Sequence, residues 1–216
     1  VFMSMKKKDF FSFRIMCDYL GTCVDDIPVQ LQSMTVSGQF GYALMMSFMG
    51  GLVIGFPFIF YQIWGFLKPG LKFGEKKMAK GIVFYVSFLF FLGILFGYFV
   101  VAPLSIQFFG SYQISSEIRN DFTISSYMSM ILSTVFYTGL FFLLPVVTYL
   151  LTKIGVLSPE FLIKYRKHAI VGILILSAII TPPDIISQVI VSIPIFILYE
   201  IGILIAKRVV KTFEDE

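Results

Sequence analysis

PFIFYQIWGFLKPGLKFGEKK, residues 57 to 77, joins the end of an apolar run to a lysine-rich connector. Tyr61, Trp64 and Phe66 precede Lys68, the chain breaks at Pro69 and Gly70, and one carboxylate, Glu75, then stands among lysines. Aromatic rings followed by lysine mark the level at which a transmembrane helix leaves the bilayer, and lysine excess in a short loop marks the cytoplasmic side. The stretch reads as a membrane exit and a cytoplasmic loop, Lys68 to Lys80, that holds five lysines and Glu75.

Composition supports lipid as the main solvent. Apolar residues make up 57% of the chain and charged ones 14%, with a mean hydropathy of +0.88. A soluble domain of that make-up would expose large apolar patches. The net charge of +4 is modest and its lysines sit in particular loops, which points to membrane orientation and away from nucleic acid.

Upstream of this exit no charge occurs between Ile27 and Leu67, and Phe40 to Leu67 is long enough to cross about 30 Å of hydrocarbon. Pro57 is expected to bend this span, and Gly51 with Gly55 to let another helix approach. Residues 1–36 are the most polar part and read as an extracytoplasmic loop. Cys17 and Cys23 lie there; they form a local disulfide if the loop faces an oxidising compartment, and otherwise stay two thiols. The sole histidine, His168, is far away, so no Cys/His metal site can be assembled, and no cofactor is expected.

Downstream, Ile82 to Phe108 forms a second span with another glycine pair, Gly93 and Gly97, and with Pro103 at its far end. Gly110 to Asp121 carries few cations and reads as external. A third span, Ile124 to Ile154, contains Pro145 and leads into a cationic, cytoplasmic loop in which Ser158-Pro159-Glu160 has the pattern of a helix start. The fourth span, His168 to Thr181, is short. Thr181-Pro182-Pro183-Asp184 turns the chain outside, and Ile185 to Ala206, with Pro194 and Glu200, returns it to Lys207, Arg208 and Lys211 inside.

The expected fold is an all-α, polytopic helical bundle with residues 37–216 as its transmembrane domain and a cytoplasmic C-terminal tail. Five spans are present; a polar amino-terminal tail on the outer side implies a sixth before it. Pro57, Pro103, Pro145 and Pro194, one in each long span, would bend the helices into a concave wall. No HExxH, no paired intramembrane aspartates and no central charge are found, which argues against an intramembrane protease; a secondary transporter of small solutes is the alternative, although no inverted repeat is visible. Gln188, inside the last span, could bond a partner helix or a helix of the bundle. Asp184 suits a cap of the last helix. Glu200 is placed to snorkel toward the surface near Lys207.

The aromatic exit with Pro69, Leu71 and Glu75, the run FLGILFGYFVVAPL (Phe91 to Leu104), TPPDIISQ (Thr181 to Gln188) and IPIFILYEIGI (Ile193 to Ile203) resemble the TatC family. The resemblance covers Gln39 to Lys207. It implies a subunit of the bacterial cytoplasmic membrane that catalyses no reaction. Such a subunit binds twin-arginine signal peptides, works with TatA/TatB-like single-span partners in a homo-oligomeric receptor complex, and uses the proton-motive force to export folded proteins. Glu75 is either a solvated counter-charge or a guanidinium site on its own reading; the resemblance implies the second, with Phe66 and Leu71 beside it, and gives Gln188 and Asp184 a polar groove role. Many TatC sequences carry a buried glutamate two residues before the proline of the third span. This chain has Leu143 there.

Overall fold

The computed structural model describes residues 30–33, 37–67, 79–112, 121–181 and 185–214. Cys17, Cys23, Leu71, Glu75 and Asp184 lie outside them. Helix α1 (Gly38–Leu67) is followed by α2 (Ala79–Phe96), which passes through a π-helical turn, Gly97–Val101, into α3 (Ala102–Ser111). Helix α4 (Ile124–Phe141) is separated by two residues from α5 (Leu144–Lys153). A short α6 (Pro159–Lys164), α7 (Arg166–Ile180) and a long α8 (Ile185–Glu214) complete the described fold.

Among the described residues, four helical stretches are long and apolar enough to cross a membrane: Gly38–Phe66, Gly81–Ser111, Ile124–Lys153 and Gln188–Lys211. Helix α7, the fourth span expected from the sequence, has only 15 residues. At 1.5 Å per residue it covers about 22 Å, short of the roughly 30 Å hydrocarbon layer. Its end is correspondingly sunken. The Ile180 carbonyl comes within 3.5 Å of Thr134 Oγ1, ten residues inside α4 and so about 15 Å from that helix's start.

The four span prolines divide into two kinds. Pro57 and Pro194 sit inside helices that continue through them. Pro103 and Pro145 each occupy the second position of a helix that restarts after an irregular turn. Proline cannot donate the N–H that the carbonyl four residues back needs, and the chain answers with a π-helical turn before Pro103 and a break at Phe142 and Leu143 before Pro145.

The core is built where α2 crosses α4. A Cβ added to Gly93 would lie 2.7 Å from Phe142 Cβ and 2.9 Å from Gly139 Cα, and one on Gly97 would lie 2.9 Å from Val135 Cα. Only glycine permits that approach. Val86 and Phe90 are fully buried beside the crossing, and Phe56 of α1 stacks on Phe90 with ring centroids 3.7 Å apart. The Gly51 and Gly55 pair behaves otherwise: a Cβ on either meets nothing within 4 Å. Helix α1 docks on α2 and α4 through its aromatic side and leaves these glycines facing outward. Among the described residues no helix approaches Gly51 and Gly55.

Several buried hydroxyls are satisfied by their own helices, as an apolar surrounding favours. Ser105, Thr138, Thr148 and Thr181 each donate to the carbonyl four residues back.

An all-helical reading leaves out one feature. Strands β1 (Gln30–Gln32) and β2 (Asp121–Thr123) pair in parallel, with Gln30 opposite Asp121. This places the segment before α1 and the segment before α4 at one end of the bundle. Thr123 then caps α4 by accepting from Ser126 N–H at 3.2 Å, and the Tyr42 hydroxyl of α1 donates to the Ser125 hydroxyl.

Candidate functional site

The other end of the bundle gathers cations: Lys153, Lys164, Arg166, Lys167, Lys207, Arg208 and Lys211. Helix α5 stops there with glycine in the left-handed region, Gly155 at φ 76°. Val156 N–H bonds the Leu151 carbonyl at 2.9 Å and Gly155 N–H the Thr152 carbonyl at 3.0 Å, a Schellman ending that closes the open carbonyls of the last turn. Three residues on, Ser158 Oγ accepts from Phe161 N–H at 3.2 Å, so α6 starts where its Ser-Pro-Glu sequence indicates.

Helix α6 and the start of α7 are tied to α8. The Tyr199 hydroxyl donates to the Leu162 carbonyl at 2.8 Å, and Leu162 packs with Ile203 and Ala206. Arg166 Nη2 donates to Glu200 Oε2 at 2.7 Å. Glu200 thus reaches across to α7 and does not simply snorkel near Lys207. The two residues are 34 apart in sequence, and no local pattern announces the pair. With side chains 44% and 32% exposed, it is worth at most about 1 kcal/mol.

Glu160 is a further acid at this end, in the first turn of α6. Its own backbone N–H, then the Ser158 hydroxyl and more weakly Lys207, hold its carboxyl below the usual carboxylate range, against a small opposing desolvation.

Of the residues singled out from the sequence, Phe66 is 86% exposed on the last turn of α1. Trp64, two residues earlier and therefore on the opposite face, is buried and continues the Phe56 and Phe60 stack. Gln188 Nε2 donates to the Leu174 carbonyl at 3.0 Å, so its amide joins α7 to α8 within the bundle. Leu143 is half-buried at the break and packs on the Phe56, Val86 and Phe90 cluster. An apolar side chain suits that place.

The family model for the Sec-independent protein translocase protein (TatC) matches residues 2–194. The chain belongs to the TatC family. The TatC protein of Blattabacterium is 45% identical over 183 residues, which are 85% of this chain and 69% of that protein. The TatC protein of Helicobacter pylori is 37% identical over 202 residues, or 94% of this chain and 77% of that one. Two solved structures of the twin arginine translocase receptor TatC superpose with TM-scores of 0.68 and 0.69 at 32% identity. They cover 91% and 94% of this chain, and this chain covers 83% and 88% of theirs. A TatC membrane bundle is thus the fold, as the resemblance implied, and Sec-independent protein translocation is the function class. Nothing in these matches supports the secondary-transporter alternative.

Proposed function

We propose that this chain is the signal-receiving subunit of a twin-arginine translocase in the bacterial cytoplasmic membrane, with its cation-rich end and C-terminus in the cytoplasm. It binds the paired arginines of an export signal and makes or breaks no bond in its cargo. Assembled in several copies with TatA/TatB-like single-span partners, it passes folded proteins across the membrane at the expense of the proton-motive force.

The observation that carries the reading is the agreement, over 91% of the chain, with a solved twin arginine translocase receptor. The charge arrangement adds a residue-level argument. Two adjacent guanidinium groups need a carboxylate not already committed, because each charge-assisted bond forfeited costs about 1.5–3 kcal/mol. At the cation-rich end Glu200 is engaged by Arg166, and Glu160 is drawn to its own helix terminus. Glu75, the acid that the family resemblance points to, receives the signal, with Phe66 and Leu71 as the apolar flank, and Asp184 near the outer turn serves the partner, Gln188 being engaged within the bundle. The residue 1–36 segment lies outside, where Cys17 and Cys23 are able to pair.

Photo-crosslinking of an Arg-Arg signal peptide to the intact protein in membranes tests the assignment. Glu75→Ala should reduce the crosslink on the order of 10- to 100-fold, and a Lys-Lys signal should crosslink poorly to the parent, since lysine lacks the bidentate fork. An undiminished crosslink with Glu75→Ala removes Glu75 from the site. Cysteine labelling of Ser116→Cys only from outside and Lys164→Cys only from inside checks the orientation.

A further inference from the structure

The bundle divides into two halves that are each continuous in sequence. In residues 38–141, α1, α2 and α4 pack on one another, through the Phe56 and Phe90 stack and the Gly93 crossing. In residues 144–214, α5, α6 and α7 each pack on α8. The Tyr199 to Leu162, Arg166 to Glu200 and Gln188 to Leu174 bonds all fall inside this second half. A single covalent link, the break before Pro145, joins the two.

That link can bend at one place. Phe142 is fixed to the first half, its Cβ 2.7 Å from where a Cβ on Gly93 would lie and its ring 5.6 Å from that of Phe96. Just beyond it the helical ladder is interrupted. Leu143 N–H donates to the Leu140 carbonyl at 3.0 Å, and the Leu143 carbonyl accepts from both Val146 N–H and Val147 N–H, at 2.9 and 3.0 Å. Pro145 has no N–H to offer the Phe141 carbonyl. A break of this kind between two helices absorbs a rotation that a continuous ladder would resist.

The halves also meet unevenly along their length. Deep in the bundle an apolar seam joins them: Val101 packs among Ile173, Ile180, Val191 and Ile195, and Thr134 Oγ1 stands 3.5 Å from the Ile180 carbonyl. Toward the cation-rich end they part. Val146 still packs on the Val86 and Phe90 cluster, but beyond it Gly81, Ile82 and Tyr85 of α2 are separated from Tyr149 of α5 and Ile205 of α8 by an open cleft. The seam can serve as a pivot, and the cleft is the space into which the halves can close.

We infer that the chain is two rigid halves hinged just after Phe142, and that a signal held by the connector before α2 changes the width of the cleft between them. Helix α2 begins at Ala79, four residues beyond Glu75, so the acid and the cleft wall are joined by a short tether. The coupling to the signal rests on the function proposed above; the hinge itself does not.

Spin-label distances in the intact protein in lipid nanodiscs test both parts, with Cys17 and Cys23 replaced by serine. Labels at Phe84→Cys and Leu204→Cys span the cleft, whereas Phe84→Cys with Tyr137→Cys, and Val171→Cys with Leu204→Cys, each stay within one half; all four side chains are exposed. Without signal, the spanning pair should give a broader distribution than either of the others. An Arg-Arg signal peptide should then shift it on the order of 5 Å and leave the other two unmoved. Pro145→Ala, which restores the missing N–H, should narrow the spanning distribution to one peak, while the pairs within each half report that the variant is folded. A spanning distribution as narrow as the others, equal broadening in all three, or no change with Pro145→Ala would overturn the hinge. A broad spanning distribution that the bound signal does not move would overturn the coupling. Because the distances without signal are read whether or not Glu75 binds it, the hinge and the proposed function fail separately.

Discussion

Gly93 with Gly97 and Gly51 with Gly55 share the same spacing, yet they sit in opposite surroundings. The first pair lies in a crossing so close that an added methyl group would meet the facing backbone at 2.9 Å; the second faces open space on a helix that buries little of its surface. A small-xxx-small spacing therefore reports that a helix can be approached closely, and says nothing of whether a neighbour within the chain does so. In a bilayer the difference has weight. Apolar side chains gain no more from each other than from lipid, so close packing and backbone fit supply much of the association energy.

Substitutions along the two faces should separate them in thermal unfolding of the detergent-solubilised protein. Gly93→Leu is expected to abolish the folded bundle, and Gly93→Ala to cost about 2–3 kcal/mol, because Phe142 Cβ and the Gly139 backbone cannot move aside. Gly139→Ala should cost less, about 1 kcal/mol, since its nearest neighbour at 2.8 Å is Ile94 Cδ1, the free end of a side chain. Equal losses at Gly93 and Gly139 would mean that the crossing adjusts as a unit.

Breaking the Arg166–Glu200 pair comes next in size. A double-mutant cycle with Arg166→Ala and Glu200→Ala should give a coupling of about 0.5–1 kcal/mol that fades at high salt, as befits a partly exposed pair. Gly51→Ala and Gly55→Ala should be neutral or stabilise by a few tenths of a kcal/mol, alanine being the better helix former where nothing is crowded. A marked loss there would show that the outward face of α1 is covered in the preparation.

The smallest effect concerns pH. The Glu160 carboxyl is held below its ordinary value in the folded protein, so its support for the start of α6 is complete above the unfolded value and disappears as pH falls through the folded one. Hydrogen exchange at Phe161 N–H should accelerate, relative to its intrinsic rate, on acidification in the parent and show no such step in Glu160→Gln.

Much of the fold was legible because its signals are local. The uncharged runs located the long spans, and Ser158-Pro159-Glu160 located α6 to the residue. The expected shortness of the fourth span also agrees with α7. What escaped depends on partners far apart in the chain. Gln30–Gln32 and Asp121–Thr123 pair across some ninety residues and have no patterned run of their own; Arg166 and Glu200 meet only because α6 folds the chain back onto α8. The break at Phe142 and Leu143 was half legible: Pro145 announces a missing donor, but not whether the chain answers with a π-helical turn, as before Pro103, or with a clean break. At the candidate site, the importance of Glu75 came from family resemblance.

The most direct test is the affinity of the intact, membrane-embedded protein for two synthetic signals that differ only in Arg-Arg against Lys-Lys. Tighter binding of the Arg-Arg signal by at least 10-fold, with the difference lost in Glu75→Gln, is the result this account predicts. Equal affinity for the two signals, or a preference that survives Glu75→Gln, would contradict it.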